Sequence, residues 1–230
     1  MLQYFYDPTY LVILPAILFA IFAQARVSSA FNKYKSVYSR RGLSSQEVAR
    51  QILDDNGLYH VTVEPVQGKL TDHYDPRANV VRLSQSVYGN TSVASIGIAA
   101  HEVGHAIQHA SGYMPIKIRN SVIPVANFGS SLSMPLVILG LIFSAQPLIS
   151  AGIFLFTFVV LFQAVTLPVE FNASSRALKT LEQYHILDED ELKQSKSVLS
   201  AAALTYVAAL LSSLLSLLRL ILLANSRRRN

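Results

Sequence analysis

Cysteine is absent from this chain, and so is tryptophan. The lack of thiols excludes disulfide bonds and thiolate metal ligands, so any metal ion must be held by histidine, aspartate or glutamate. Charged residues are scarce, at 14% of the chain, whereas hydrophobic residues make up 51% and the mean hydropathy is +0.36. This balance is typical of an integral membrane protein with a modest polar portion.

Long apolar runs occur four times, at about 10–25, 122–143, 148–169 and 201–223. Each approaches the length that a helix needs to cross a bilayer. No lysine or arginine precedes the first run, so we expect an uncleaved anchor and not a signal peptide. Only the residues "SAQP" separate the second run from the third, which predicts an antiparallel helical hairpin. The third run lacks the polar face of a soluble amphipathic helix.

These runs divide the chain into five predicted segments. They are an N-terminal transmembrane anchor at 1–25, a polar portion at 26–121, a transmembrane hairpin at 122–169, a helix within 170–200, and a C-terminal transmembrane helix with a basic tail at 201–230. Four spans place both polar segments on the same side of the membrane. Most of the lysine and arginine near the spans lies on that side, which predicts a cytoplasmic location, although the final "RRR" argues the reverse. The net charge of +5 is therefore attributed to orientation and lipid headgroups, and no nucleic-acid partner is expected.

The polar portion has the pattern of a small α+β fold. Ser44 and Glu47 have the spacing of a capping box, which predicts a helix start. Alternating, β-branched residues predict strands at 59–66 and 79–84, and the residues between them are typical of turns. From about 91 to 112 the chain is expected to be helical. The predicted fold is thus an α+β membrane protein with about four transmembrane helices and a polar domain on one side.

The stretch "AAHEVGHAIQHA" at 99–110 contains the motif H-E-x-x-H. On a helix, His101 and His105 project from one face, close enough for both imidazoles to bind one ion. Glu102 is offset by one residue, where its carboxylate can act as a general base towards a metal-activated water and then protonate a leaving amine. Zinc is the expected ion, because it takes three nitrogen or oxygen ligands and leaves a position for water.

A third ligand must come from elsewhere in the chain. His109 follows on the same helix face but lies one turn too far, so we expect it beside the ligands or at the rim of the site. Glu170 stands out because it directly follows an apolar run, where an unpaired acid is costly. We place it on the first turn of a new helix after Pro168. The rival candidates, which the pattern leaves open, are Glu64 and Asp72.

The chain resembles the neutral zinc metallopeptidases of bacterial membranes of the YugP type. The matching stretches are "SSQEVARQILDDNGL", "DHYDPRANVVRLSQSVYGNTSVASIGIAAHEVGHAIQHA" and "LPVEFNASSRAL". The resemblance implies a zincin-like catalytic portion in the bacterial cell membrane, with one zinc ion bound by His101 and His105 and with Glu102 as the base. It also implies a substrate strand that binds beside the metal on an edge strand, a role that "NVVRLS" fits.

Glu170 and Ala173 are also similar to the Glu-x-x-Ala-Asp motif of HtpX-like and CaaX prenyl membrane proteases, in which the glutamate is the third ligand. Here Ser174 occupies the place of the aspartate that orients a ligand histidine, so Ser174 or Asn172 is expected to take over that contact. The implied function is a zinc endopeptidase that hydrolyses membrane or membrane-proximal proteins. An intramembrane protease of the site-2 type and a non-proteolytic metal-binding scaffold are the alternatives. The oligomeric state stays open.

Overall fold

A computed structural model describes residues 9–228 of the chain. The described residues form six helices and three strands. In chain order these are α1 (Tyr10–Tyr34), α2 (Ser45–Asp55), β1 (Thr62–Val66), β2 (His73–Asp75), β3 (Val80–Ser84), α3 (Val93–Ala110), α4 (Met114–Ile142), α5 (Gln146–Gln183) and α6 (Glu189–Arg228). The chain divides into two compact units. The apolar unit comprises 9–23, 117–167 and 205–228 of the described residues, and the polar unit comprises Gln24–Ile116 and Pro168–Leu204.

The apolar unit draws on four helices, α1, α4, α5 and α6, which are the helices among the described residues that are long and apolar enough to cross a membrane. Glycines allow α4 and α5 to approach closely, since a Cβ at Gly129 of α4 would lie 2.6 Å from the carbonyl oxygen of Leu155 in α5. The Ser133 hydroxyl donates to the Gly152 carbonyl at 2.8 Å, which satisfies a buried polar group between α4 and α5. The prediction of an α+β membrane protein with about four transmembrane helices is confirmed.

The helix α5 corrects one expectation. It runs without interruption through Pro168, so Glu170 lies in its interior and not on the first turn of a new helix. Proline usually ends a soluble helix, but beside an apolar run neighbouring side chains can support the backbone that it disturbs. Glu170 therefore does not serve to complement the dipole of a helix start.

The polar unit contains a three-stranded sheet in the order β1-β3-β2. β1 pairs with β3 in parallel and β2 pairs with β3 in antiparallel orientation. The predicted strand "NVVRLS" is thus the central strand, and the expectation that it is the edge strand is wrong. The edge next to α3 is β2 (His73–Asp75), which lies in the stretch predicted as turns; Tyr74 of this strand contacts the ring of His109 with centroids 6.1 Å apart.

The capping box at the start of α2 is present, since the backbone N–H and the hydroxyl of Ser44 both donate to Glu47 Oε2, at 2.8 and 2.6 Å. The apolar face of α2 packs with α3, β3 and the later part of α5 into one core. The fully buried large side chains of this core include Val48, Ile52, Leu53, Val61, Leu83, Ile96, Leu181 and Ile186. Burial of each such side chain contributes about 1.5–3 kcal/mol, so this core fixes the position of α3 relative to α5.

Candidate metal centre

The two motif histidines lie on α3, whose start is defined by Ser92. The Ser92 hydroxyl oxygen accepts the backbone N–H of Ser95 at 3.3 Å, an N-cap that sets the register of the helix. One helical turn separates His101 from His105, and their ring centroids are 4.8 Å apart. Both side chains are largely buried, at 13% and 11% exposure. Two imidazoles are thus held close together on one face.

The carboxylate of Glu170 on α5 completes the cluster. Its Oε2 lies 3.2 Å from His101 Nε2 and 3.5 Å from His105 Nε2. One donor atom from each of the three residues lies within 4.8 Å of the other two. Ligand atoms about 2.1 Å from a tetrahedral zinc ion are about 3.4 Å apart, so the donor set fits zinc and leaves one position open. Glu170 is only 5% exposed, and a buried carboxylate needs such partners.

The helices that carry the ligands touch at Gly104 and Ala173. A Cβ at Gly104 would lie 2.8 Å from the carbonyl oxygen of Ala173, closer than real Cβ contacts allow. Gly104 lies between the two histidines of α3, and Ala173 lies between Glu170 and Ser174 of α5. The missing side chain at Gly104 therefore lets the backbone of α5 approach α3 beside the two histidines.

The second nitrogen of each histidine has a partner. Ser174 Oγ lies 3.1 Å from His101 Nδ1, so Ser174 makes the contact expected at the position where similar proteases carry aspartate. His105 Nδ1 lies 3.0 Å from Gln108 Oε1, and the Gln108 amide nitrogen donates to Asn172 Oδ1 at 3.0 Å. Gln108 was missed in the sequence analysis, because a single glutamine in a helix carries no recognisable pattern. Only its complete burial in the structure, three residues after His105, draws attention to it.

Glu102 is buried beside the two histidines, with 8% of its surface exposed. Burial raises the pKa of Glu102, and the electrostatic interactions with His101 and His105 oppose this shift. Burial alone would lower the pKa of His105, but the carboxylates of Glu170 and Glu102 outweigh it and raise that pKa. The arrangement places a carboxylate that could accept a proton next to three side chains that could hold a metal ion, which is the combination that hydrolysis by an activated water needs.

The remaining predicted residues do not belong to the three-residue cluster. His109 is exposed and contacts Tyr74, so it lies at the rim. Asp72 accepts the backbone N–H of Ser84 at 2.7 Å and its hydroxyl at 3.0 Å, which supports the end of the central strand. Glu64 is exposed on β1 and accepts from the Thr62 hydroxyl at 3.0 Å. The rivals of Glu170 therefore have structural partners outside the three-residue cluster.

Comparison with known proteins agrees with this geometry. The family model described as "Putative neutral zinc metallopeptidase" matches residues 9–225, nearly the whole chain. The chain belongs to this family. It is also 48% identical over 212 residues to the "Putative membrane protease YugP" of Bacillus subtilis (strain 168), an alignment that covers 92% of this chain and 94% of that protein. No solved structure matches the chain significantly.

Membership of this neutral zinc metallopeptidase family extends over both units. The matched residues include α1 to α5 and most of α6, so the match covers both the three-residue cluster and the apolar helices. The name of the Bacillus relative describes that protein as a membrane protease. The family and the four apolar helices together establish a membrane protein of a zinc metallopeptidase family.

Proposed function

We propose that this protein is a membrane-embedded zinc endopeptidase in which His101, His105 and Glu170 hold one zinc ion and Glu102 is the general base. The observation that carries the proposal is the convergence of three donor atoms from α3 and α5 at spacings that suit zinc. His101 and Glu170 are 69 positions apart in the chain, so their contact is a product of the fold and not of local sequence.

A zinc ion held by these residues would supply Lewis acidity towards a peptide carbonyl and make a bound water more acidic. The chain's own chemistry then rests on Glu102. Its carboxylate takes a proton from the attacking water as the new C–O bond forms, and it delivers that proton to the amine when the C–N bond breaks. A pKa raised by burial suits both roles, because the carboxyl group releases the proton less readily than an exposed glutamate.

The substrate class that we propose is a protein or peptide at or near a membrane. Glu170 comes three positions after Leu167, the last residue of the apolar segment of α5 in the apolar unit. A ligand so close in the chain to a membrane-crossing segment favours substrates close to the lipid headgroups. The exposed edge of β2, with Tyr74 against His109, is where an extended substrate can add as a further strand.

For the location we propose the bacterial cell membrane, with the polar unit in the cytoplasm. The lysines and arginines that flank the spans on the polar-unit side support this orientation by the positive-inside rule. They are Arg26, Lys33, Lys35, Arg40, Arg41, Lys117, Arg119, Arg176, Lys179, Lys193 and Lys196. A reporter fused after Asn230 tests this, since it reads out the side of the membrane that carries the C-terminus. A reporter signal from the cytoplasmic side would refute the orientation.

The structure favours this function over both alternatives. In a site-2-type intramembrane protease the H-E-x-x-H helix crosses the membrane, whereas α3 packs against α2 and the sheet and is not one of the four candidate spans among the described residues. A metal-binding scaffold has no need of the buried carboxylate of Glu102 beside the ligands, where its desolvation is costly.

The proposal is tested with purified protein in detergent or reconstituted in vesicles. We expect about one zinc ion per chain, and we expect hydrolysis of casein or of a membrane-protein substrate by the zinc-loaded protein. Glu102→Gln should retain the zinc and lose at least about 100-fold in turnover, the contribution of a general base. Glu64→Gln, a matched change at an exposed glutamate, should retain both. Full turnover by Glu102→Gln would refute the assigned base, and a zinc-loaded protein that hydrolyses neither substrate would refute the peptidase.

A further inference from the structure

We propose that Gln108 is a positioning residue that fixes the tautomer of His105 and ties this ligand to the backbone next to Glu170. The inference rests on the proposed function only in so far as His105 is taken to bind the metal. Gln108 has no exposed surface and lies one helical turn beyond His105 on α3. Each polar atom of its side-chain amide has a partner at hydrogen-bond distance.

The orientation of the Gln108 amide follows from neighbouring groups that can only donate or only accept a hydrogen bond. The Arg176 guanidinium can only donate, and its Nε donates to Asn172 Oδ1 at 2.8 Å, which identifies that atom as the oxygen. The carbonyl of Val169 can only accept. Both acceptors face the same end of Gln108, at 3.0 Å from Asn172 Oδ1 and 2.8 Å from the Val169 oxygen. This end must therefore be the NH₂ group.

The opposite end of the amide is then the oxygen Oε1, and it lies 3.0 Å from His105 Nδ1. A carbonyl oxygen can only accept, so His105 Nδ1 must carry the proton. The lone pair is left on Nε2, the nitrogen that lies 3.5 Å from Glu170 Oε2 in the ligand cluster. Gln108 thus holds the imidazole in the one neutral form that can bind the metal through Nε2.

His101 provides a contrast within the same site. Its Nδ1 faces the Ser174 hydroxyl at 3.1 Å. A hydroxyl can donate or accept, so this contact is compatible with either tautomer. The two ligands of α3 are therefore supported differently: Ser174 contacts His101 without selecting a tautomer, whereas Gln108 selects one for His105. Ser174→Ala is accordingly the matched control for a change at Gln108.

The same amide also connects the two ligand-bearing helices. Val169, whose carbonyl accepts from Gln108, directly precedes Glu170 in α5. One side chain therefore holds a ring nitrogen of one ligand and a backbone group adjacent to another. Removing the Gln108 amide should loosen both His105 and Glu170. A side chain at 108 that can only accept should retain the His105 tautomer but lose the connection between α3 and α5.

The test combines a spectroscopic readout with metal binding. The full-length protein is labelled with ¹⁵N-histidine and studied in detergent micelles, zinc-free and at an alkaline pH where imidazoles are neutral. Long-range ¹H–¹⁵N spectra distinguish the two tautomers, and His105→Gln assigns the His105 signals. Zinc affinity is measured by competition with a chelating indicator. The variants are Gln108→Met, which removes both ends of the amide, Gln108→Glu, which keeps an oxygen for Nδ1–H in either protonation state, and Ser174→Ala.

We expect wild-type His105 to be protonated on Nδ1. In Gln108→Met the Nε2–H form should appear and the zinc affinity should fall by about 10–100-fold. Gln108→Glu should restore the Nδ1–H form and part of the affinity, and Ser174→Ala should leave the His105 signals unchanged. An Nε2–H tautomer in the wild type overturns the proposal even if Gln108→Met does not fold, and so does a folded Gln108→Met with wild-type tautomer and affinity. These readouts do not depend on peptide hydrolysis, so an inactive protein with the expected tautomer would refute the proposed function alone.

Discussion

Gly104→Ala tests whether the close contact between α3 and α5 sets the geometry of the metal ligands. Its Cβ would meet the Ala173 oxygen at 2.8 Å, whereas ordinary contacts begin at 3.4 Å, so α3 and α5 must separate by about 0.6 Å. Overpacking of this kind costs about 1–3 kcal/mol, and replacing a helical glycine by alanine returns about 1 kcal/mol. The net loss of folding stability is therefore small, about 0–2 kcal/mol. Metal ligation tolerates only about 0.2 Å, so zinc binding should respond much more strongly.

We expect the zinc affinity of Gly104→Ala to fall by about 10–100-fold while the melting temperature changes by only a few degrees. The assays are competition with a chelating indicator and thermal unfolding of the zinc-free protein. Gly129→Ala is the matched control, because its Cβ would crowd the Leu155 oxygen at 2.6 Å in the apolar unit, away from the ligands. It should lower stability and leave zinc affinity unchanged. Wild-type zinc affinity in Gly104→Ala would refute the argument that this contact sets the ligand geometry.

Three further predictions concern the same centre. Glu170→Gln should weaken zinc binding by at least about 100-fold, measured by chelator competition, and wild-type affinity would remove Glu170 from the ligand set. Free zinc at 100 times the wild-type dissociation constant should stabilise the wild type by about 2.7 kcal/mol in thermal unfolding. An equal gain for Glu170→Gln at the same zinc concentration would contradict the site. The negative charge of Asp72 contributes to the raised pKa of Glu102, so Asp72→Asn should move the acidic limb of the kcat/KM profile to lower pH; a shift to higher pH would contradict this sign.

The features that depend on residues close together in the chain could be predicted from the sequence. The spacing of His101, Glu102 and His105 on one helix follows from 3.6 residues per turn, and the capping box at Ser44 fixes the start of α2. The apolar runs predicted the four long helices because a bilayer demands a minimum length. Glu170 is predicted as the third ligand for a physical reason, since an acid that follows an apolar run needs a partner, and the structure places it in one cluster with His101 and His105.

The errors arise where tertiary contacts override local preference. Pro168 is read as a helix boundary, yet α5 continues through it beside the apolar run. The strand β2 has only three residues among turn-forming neighbours, so its pairing with β3 is visible only in the fold, and this pairing makes β3 central. Gln108 donates hydrogen bonds to partners 61 and 64 positions away, which no local pattern encodes.

The separation of the ligands along the chain has a consequence for biosynthesis. A ribosome completes α3, with two of the donors, before it has made α4 and the first part of α5, and Glu170 follows only then. A nascent chain with only the two imidazoles lacks the carboxylate that completes this cluster of donor atoms. The three-residue cluster is therefore complete only after the helical hairpin has been synthesised.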